Sequence, residues 1–375
     1  MAYLHVNPTP KPILLSPSLG PNSSYISPAP SFLNRSHPGS LFNLAMPCFS
    51  MTLGCISNIL ALTILFKSYS RFRRRSKATF FLLAGALLLT DLSGHIILGA
   101  FALRLYLSIL WKDYADHSEV FCQVFGACMV FFGLCPLFLG SAMAVERCVG
   151  VTRPLLHSTT ITATHAKLAV ALLFSLSILL ATLPLTQVGS YVRQFPDTWC
   201  FLQIHDGLSK ANQGLTLAFT SLGLASLGLS LLCNCLSGMA LLQARLRGRS
   251  KAKSKPKTPG VPQRKSAPSH DVEMMLQLAG ITLVSFICWT PFLICISLSV
   301  SMSWGSSGYD VQQYKRLVFI GLRLASWNQI LDPWVYILLR RAVLRRLYGV
   351  MQPHRQLTQS SFRTMDREPQ SFSRH

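Results

Sequence analysis

Long apolar stretches separated by shorter polar ones organise this chain. They run at about 43–66, 78–103, 120–145, 166–187, 213–242, 274–302 and 317–339. Each is long enough to cross a hydrocarbon layer of roughly 30 Å as a helix of about 20 residues. None alternates apolar and polar positions with period two. Lipid tolerates only helices and closed barrels, because each backbone polar group must find a partner inside the protein. The pattern therefore predicts an all-α membrane protein, a seven-transmembrane helix bundle over residues 43–339.

Composition agrees: 50% of the residues are hydrophobic, 13% are charged and the mean hydropathy is +0.38, too apolar for an ordinary soluble chain. The net charge of +22 would raise nucleic acid as a partner, but the basic residues fall in alternate connections, which argues against it. Lys67, Arg71, Arg73, Arg74, Arg75 and Lys77 lie between the first two stretches, and a basic run from Arg245 to Lys265 lies between the fifth and sixth. By the positive-inside rule those connections are cytoplasmic, and an odd number of spans puts the amino terminus outside. The third cytoplasmic loop, 243–270, reads as basic and flexible, suited to phosphorylation or lipid contact, although topology alone accounts for its charge. The cytoplasmic tail, 340–375, is expected to begin with a short basic amphipathic helix to about 350, and it holds no cysteine for a palmitate anchor.

The first 42 residues are rich in Pro, Ser and Asn and lack the apolar core of a cleavable signal peptide, so they read as a flexible outer tail. Asn22 and Asn34 head acceptor triplets for N-glycans in that tail, whereas Asn7 is followed by a proline. Most of the 11 cysteines fall inside spans, where a thiol behaves as a small hydrophobe. Cys122, at the outer start of the third span, and Cys200, in the following outer loop, face the oxidising side and are expected to pair; Cys48 is the competing partner.

Polar groups inside the spans are few, and a charge at mid-bilayer costs at least about 2.5–3.5 kcal/mol. Asp91, Asp332, Asn58 and Asn328 lie at comparable depth and could hold sodium or water, or form a hydrogen-bonded packing network. Arg323 sits about two helical turns below the outer charges Lys315 and Arg316, with no acid at its depth. An internal ion pair is thereby disfavoured. A ligand anion, best a carboxylate matched to the planar guanidinium fork, is the expected partner, with snorkelling to the surface as the alternative. Glu146, Arg147 and Cys148 close the third span with an ion pair at its inner end, and Pro291 after Trp289 can kink the sixth. Single prolines discriminate poorly, since spans three and four carry them too. No phosphate-binding glycine loop and no metal-ligand spacing occurs, so neither cofactor nor enzyme chemistry is expected; His95 in mid-span reads as structural.

Gly54 to Asn58, Leu87 to Asp91, Cys122, Glu146-Arg147-Cys148, Cys288 to Pro291 and Asp332-Pro333-Trp334-Val335-Tyr336 occur in an order and spacing that resemble the rhodopsin-like G-protein-coupled receptors, from about Leu41 to Leu347. Within that family, Phe195 to Phe201 and Leu324 to Arg340 resemble the prostanoid receptors, whose ligands are C20 carboxylic acids. The stretches Gly94 to Tyr106, Met143 to His157 and His270 to Glu273 are most similar to receptors for prostaglandin E, subtype one, with receptors for prostaglandin F next. The resemblance implies a plasma-membrane receptor for prostaglandin E, coupled to Gq-type G proteins, phospholipase C and cytosolic calcium. Receptor kinases, arrestin and membrane lipids would be its further partners.

Carried over by position, the carboxylate site maps onto Arg323, Tyr106 and Thr198, with Trp199 and Met129 lining the tail channel and Gln329 near a ring or chain hydroxyl. Met129 stands where amine receptors have aspartate. Trp289, Pro291, Asp332, Pro333 and Tyr336 map onto the activation switch, and Glu146, Arg147 and Cys148 onto the G-protein face. Cys148 for tyrosine and Asp332 for asparagine are departures that prostanoid receptors share; Asp197, where that group has glycine, is not shared and puts the loop geometry beside Thr198 in question. A prostaglandin F or thromboxane receptor is the rival within the class. An organic-anion transporter is the rival outside it, although the internal repeats and broken helix pairs of transporters are missing.

Overall fold

The computed structural model describes residues 38–71, 75–111, 119–204, 209–254, 269–302 and 311–338. The helices are α1 (Pro38–Arg71), α2 (Arg75–Trp111), α3 (Glu119–Thr152), α4 (Pro154–Thr160), α5 (Ala163–Thr182), α6 (Lys210–Ser254), α7 (Ser269–Met302) and α8 (Val311–Leu338). Six of the described helices are long and apolar enough to cross a membrane by composition alone: α1, α2, α3, α5, α6 and α7. The seventh, α8, carries Lys315, Arg316, Arg323, Asn328, Gln329 and Asp332, which dilute its hydropathy, yet it packs along α7 and against α1 and α2. Together they form the expected seven-helix transmembrane bundle.

Most of the helices outrun the apolar stretches that announce them, α5 (which gives way to a 3-10 turn at Leu183) being an exception at its outer end. Hydropathy marks where lipid ends, whereas a helix continues as long as its residues favour it. Thus α6 runs past the expected boundary at 242 through a segment dominated by Ala, Leu, Gln, Arg and Lys, good helix formers that outweigh Gly248 and two serines. The start of the expected 243–270 loop is therefore helical, and α7 begins at Ser269. Residues 255–268, the tail helix expected at 340–350, and Asn22 and Asn34 lie outside the described residues.

The centre of the bundle is α3, which touches α2, α5, α6, α7 and the outer loop and is buried along most of its length. One buried cluster, with Phe125, Phe219, Trp289 and Phe292, fills its outer half; a second, with Leu87, Leu139, Met143 and Ile337, fills its inner half. Lipid offers no hydrophobic drive between helices, so close packing of small residues matters more. At Gly321 a β-carbon would come within 2.9 Å of the Phe292 Cα, so α8 lies directly on α7.

The outer loop adds strands to the helical plan. β1 (Tyr191–Gln194) and β2 (Trp199–Leu202) pair antiparallel, with Tyr191 opposite Leu202 and Gln194 opposite Trp199. Aromatic and β-branched residues favour this pairing. Asp197 takes the left-handed backbone conformation at φ 69°, and its N–H donates to the Gln194 carbonyl at 2.7 Å. That conformation explains why glycine would be at home there, and aspartate is among the few other residues that tolerate it. All four residues of β2 are buried, so the hairpin lies across the outer end of the bundle. Cys200 anchors it to Cys122 by the expected disulfide, Cα to Cα 5.4 Å, while Cys48 is a free, exposed thiol. The Tyr191 ring lies where a β-carbon on Gly126 would be, and its hydroxyl donates to the Ala181 carbonyl at 2.8 Å; burial pushes the phenol pKa up. On the other flank Asn212 of α6 accepts from the Ser190 N–H and donates to Gln203, both at 2.7 Å.

Candidate ligand cavity and coupling face

Beneath the hairpin, α1, α2, α3, α7 and α8 enclose a cavity of about 220 Å³. Among the described lining residues its cationic group is Arg323, whose guanidinium donates to the Tyr106 hydroxyl at 3.3 Å and lies 4.9 Å over the Phe319 ring. The helical register of α8 turns this side chain into the bundle, so it does not snorkel. No Asp or Glu is among the described residues that line the cavity. Asp197, the acid closest in sequence, is exposed on the turn, while its neighbours Thr198 and Trp199 are buried and face the cavity. Trp199 is fixed by donating its indole N–H to the Phe195 carbonyl at 2.9 Å. Met129 and Gln329 also line the cavity, and Trp289 lies on its wall. All six residues expected at the ligand site thus converge on one space.

Further in, Gln329 donates its side-chain amide to the Phe132 carbonyl at 3.3 Å, and its backbone carbonyl accepts from the Asn58 side chain at 3.1 Å. Below it, Asn328 donates to Asp332 at 3.0 Å. Asp91 and Asp332 are buried, and both Asp91 oxygens, one Asp332 oxygen and the side-chain oxygens of Asn58 and Asn328 have no partner. Hard oxygen donors of this kind are ones that sodium or water could satisfy. Pro291 and Pro333 lie inside α7 and α8, and Tyr336 sits on α8 with its side chain outside those described.

At the inner end, Glu146 is 6% exposed and chelates the Arg147 guanidinium through both oxygens. One oxygen also accepts from Thr79 of α2 at 2.8 Å and meets His157 Nε2 of α4 at 2.9 Å. A pair that reads from the sequence as a weak helix-end bridge is therefore a buried knot joining three helices. Cys148, next along α3, is buried against the inner cluster.

The family described as 7 transmembrane receptor (rhodopsin family) matches residues 57–336. The chain belongs to this family. At 46% identity over 342 residues it is similar to the prostaglandin E2 receptor EP1 subtype of Canis lupus familiaris, covering 82% of each chain. It is 43% identical over 350 residues to the human receptor of that name, covering 84% of each. It is 44% identical to the prostaglandin F2-alpha receptor of Bos taurus over 302 residues, 80% of this chain and 77% of that one. These relatives put the receptor in the prostanoid group. Squid rhodopsin has the same fold, with a TM-score of 0.64 at 15% identity, over 91% of this chain and 98% of that one. The receptor is not an enzyme, as the family and its relatives require. Sequence reasoning missed the Phe319 face under Arg323, and Thr79 and His157 around Glu146. No local motif announces them, since each arises where two helices meet.

Proposed function

We propose that this receptor binds a prostaglandin E from outside the cell and activates a Gq-type G protein, raising cytosolic calcium through phospholipase C. The observation that carries the reading is Arg323: a cation turned into a largely apolar cavity whose described lining residues supply no acid for it. A lipid carboxylate completes that site, with Tyr106 and Thr198 as further donors. Trp199 and Met129 would flank the acid's chains, and Gln329 would meet a hydroxyl. At about 220 Å³ the cavity falls below the roughly 300–1,000 Å³ of small-molecule sites, so a twenty-carbon ligand must widen it. Widening pushes on Trp289 and swings α7 about Pro291, where the helix lacks one backbone hydrogen bond. Arg147 then leaves Glu146 and opens the cytoplasmic face, so that agonist and G protein favour the same state reciprocally.

The reading puts the receptor in the plasma membrane with its amino terminus extracellular, Asn22 and Asn34 glycosylated, and receptor kinases and arrestin acting on the basic cytoplasmic segments. Its test is a calcium response in cells expressing the chain, titrated with prostaglandin E2: a saturable response is expected, and no response at any dose overturns it. The relatives that are prostaglandin F2-alpha receptors support a second reading, a receptor for prostaglandin F. Competition binding of the E, F and thromboxane-type acids decides between them, and uptake of ligand into sealed vesicles would revive a transporter.

A further inference from the structure

Activation as proposed above leaves Glu146 behind. The carboxylate is 6% exposed and stays buried on α3, and a buried carboxylate deprived of its counter-ion is strongly destabilised. Thr79 offers only a neutral hydroxyl. His157 is different in kind: its Nε2 lies 2.9 Å from the Glu146 oxygen, and it reaches there from α4, a separate helix of the second cytoplasmic connection. Its place does not depend on Arg147, which rests over the Phe80 ring at 5.1 Å.

We propose that His157 is a positioning residue for the Arg147 switch, which it serves by taking over Glu146 as its cation when Arg147 departs. An imidazole is the side-chain cation that cytosolic pH can make or remove. While Arg147 is on the carboxylate, a protonated His157 is attracted by Glu146 and repelled by the guanidinium. Once Arg147 has left, only the attraction acts. Protonation therefore favours the released state, and coupling strengthens as cytosolic pH falls. The charged groups facing His157 from α3 are Glu146 and Arg147; from α2 it is approached through the uncharged Thr79, the side chains of Arg75 and Lys77 lying outside those described. On α4 itself the nearest charge is the exposed Arg153 at the cap. The role rests on the receptor's acting through a G protein.

The test uses the full chain in lipid nanodiscs with a purified Gq heterotrimer and saturating prostaglandin E2. Nucleotide exchange per ligand-binding site is measured between about pH 6.5 and about pH 7.8. The wild-type rate, divided by that of His157→Gln, is expected to rise about five-fold from the alkaline to the acid end, the size of a partly screened charge pair. His157→Arg, a permanent cation, is expected to exchange fast at every pH, and it serves should the Gln variant not fold. Parallel pH profiles in wild type and either variant overturn the role. Wild type that drives no exchange on any heterotrimer class overturns the coupling reading itself, and this role with it.

Discussion

Replacing Arg323 by alanine removes the only guanidinium or ammonium group among the described residues that line the outer cavity. Truncating one partner of a buried, hydrogen-bonded charge pair costs about 2–5 kcal/mol. Arg323 is only half-buried, so solvent screens part of that and the lower end applies, about 2–3 kcal/mol. At 1.4 kcal/mol per decade, the affinity for prostaglandin E2 should fall about 30- to 150-fold. Arg323→Lys keeps the charge but loses the two-pronged geometry, so its loss should be smaller, about ten-fold. Tyr106→Phe deletes a neutral partner 3.3 Å from the guanidinium and should cost about two- to five-fold. Competition binding on intact cells, with the free acid and its methyl ester on each receptor, isolates the pair as a double-mutant cycle. Wild type should prefer the acid by about the factor that Arg323→Ala loses, and the variant should treat acid and ester alike. If Arg323→Ala keeps full potency, or still prefers the acid, the carboxylate is held elsewhere and the reading of the cavity fails.

Three further outcomes follow from the geometry. Gly126→Val drives a side chain into the Tyr191 ring and should lift the hairpin, an overpacking loss of about 1–3 kcal/mol read as a lower melting temperature and lost ligand sites. Asp197→Gly should leave ligand affinity unchanged, whereas Asp197→Val places a branched residue at φ 69° and should destabilise the purified receptor by about 1–3 kcal/mol in thermal unfolding; equal melting of the two would refute the turn argument. Sodium should lower agonist affinity in wild type and not in Asp91→Asn, because the unpaired oxygens of Asp91, Asp332, Asn58 and Asn328 form a cluster that a cation would bind in the resting state; a flat sodium titration in wild-type membranes refutes it.

Much of this was legible in the chain, because lipid is a strict solvent. Apolar runs located the spans, and the lack of an acid at the depth of Arg323 marked it as a side chain to look for inside the bundle, where it lines the outer cavity. Cys122 and Cys200 could be paired because the positive-inside rule put both on one side. The three helices around Glu146 were not legible. Arg147 is its neighbour in sequence, but Thr79 and His157 lie 67 and 11 residues away and meet it only after α2, α3 and α4 have packed. The β-hairpin escaped for another reason: two four-residue strands carry too few residues for a period to show.

The contrast between the two ends of the bundle bears on how one drives the other. At the outer end Arg323 is held, among the described residues, by the Tyr106 hydroxyl and the Phe319 ring, so a carboxylate would gain a charge there without first displacing a described acid. At the inner end Arg147 is held by a buried carboxylate, so in the proposed scheme the closed arrangement is stabilised at the face offered to the G protein. Between them lie the buried carboxylates of Asp91, whose two oxygens have no partner among the described residues, and Asp332, which keeps one free oxygen and holds Asn328 with the other. A bundle with a tight inner latch and a loosely tethered outer cation can be shifted from either end, by an anion added at the top or by loosening of the latch. Ligand affinity in such a molecule is set partly by the latch: weakening Glu146 with Arg147 should raise agonist affinity although both lie at the opposite face of the membrane.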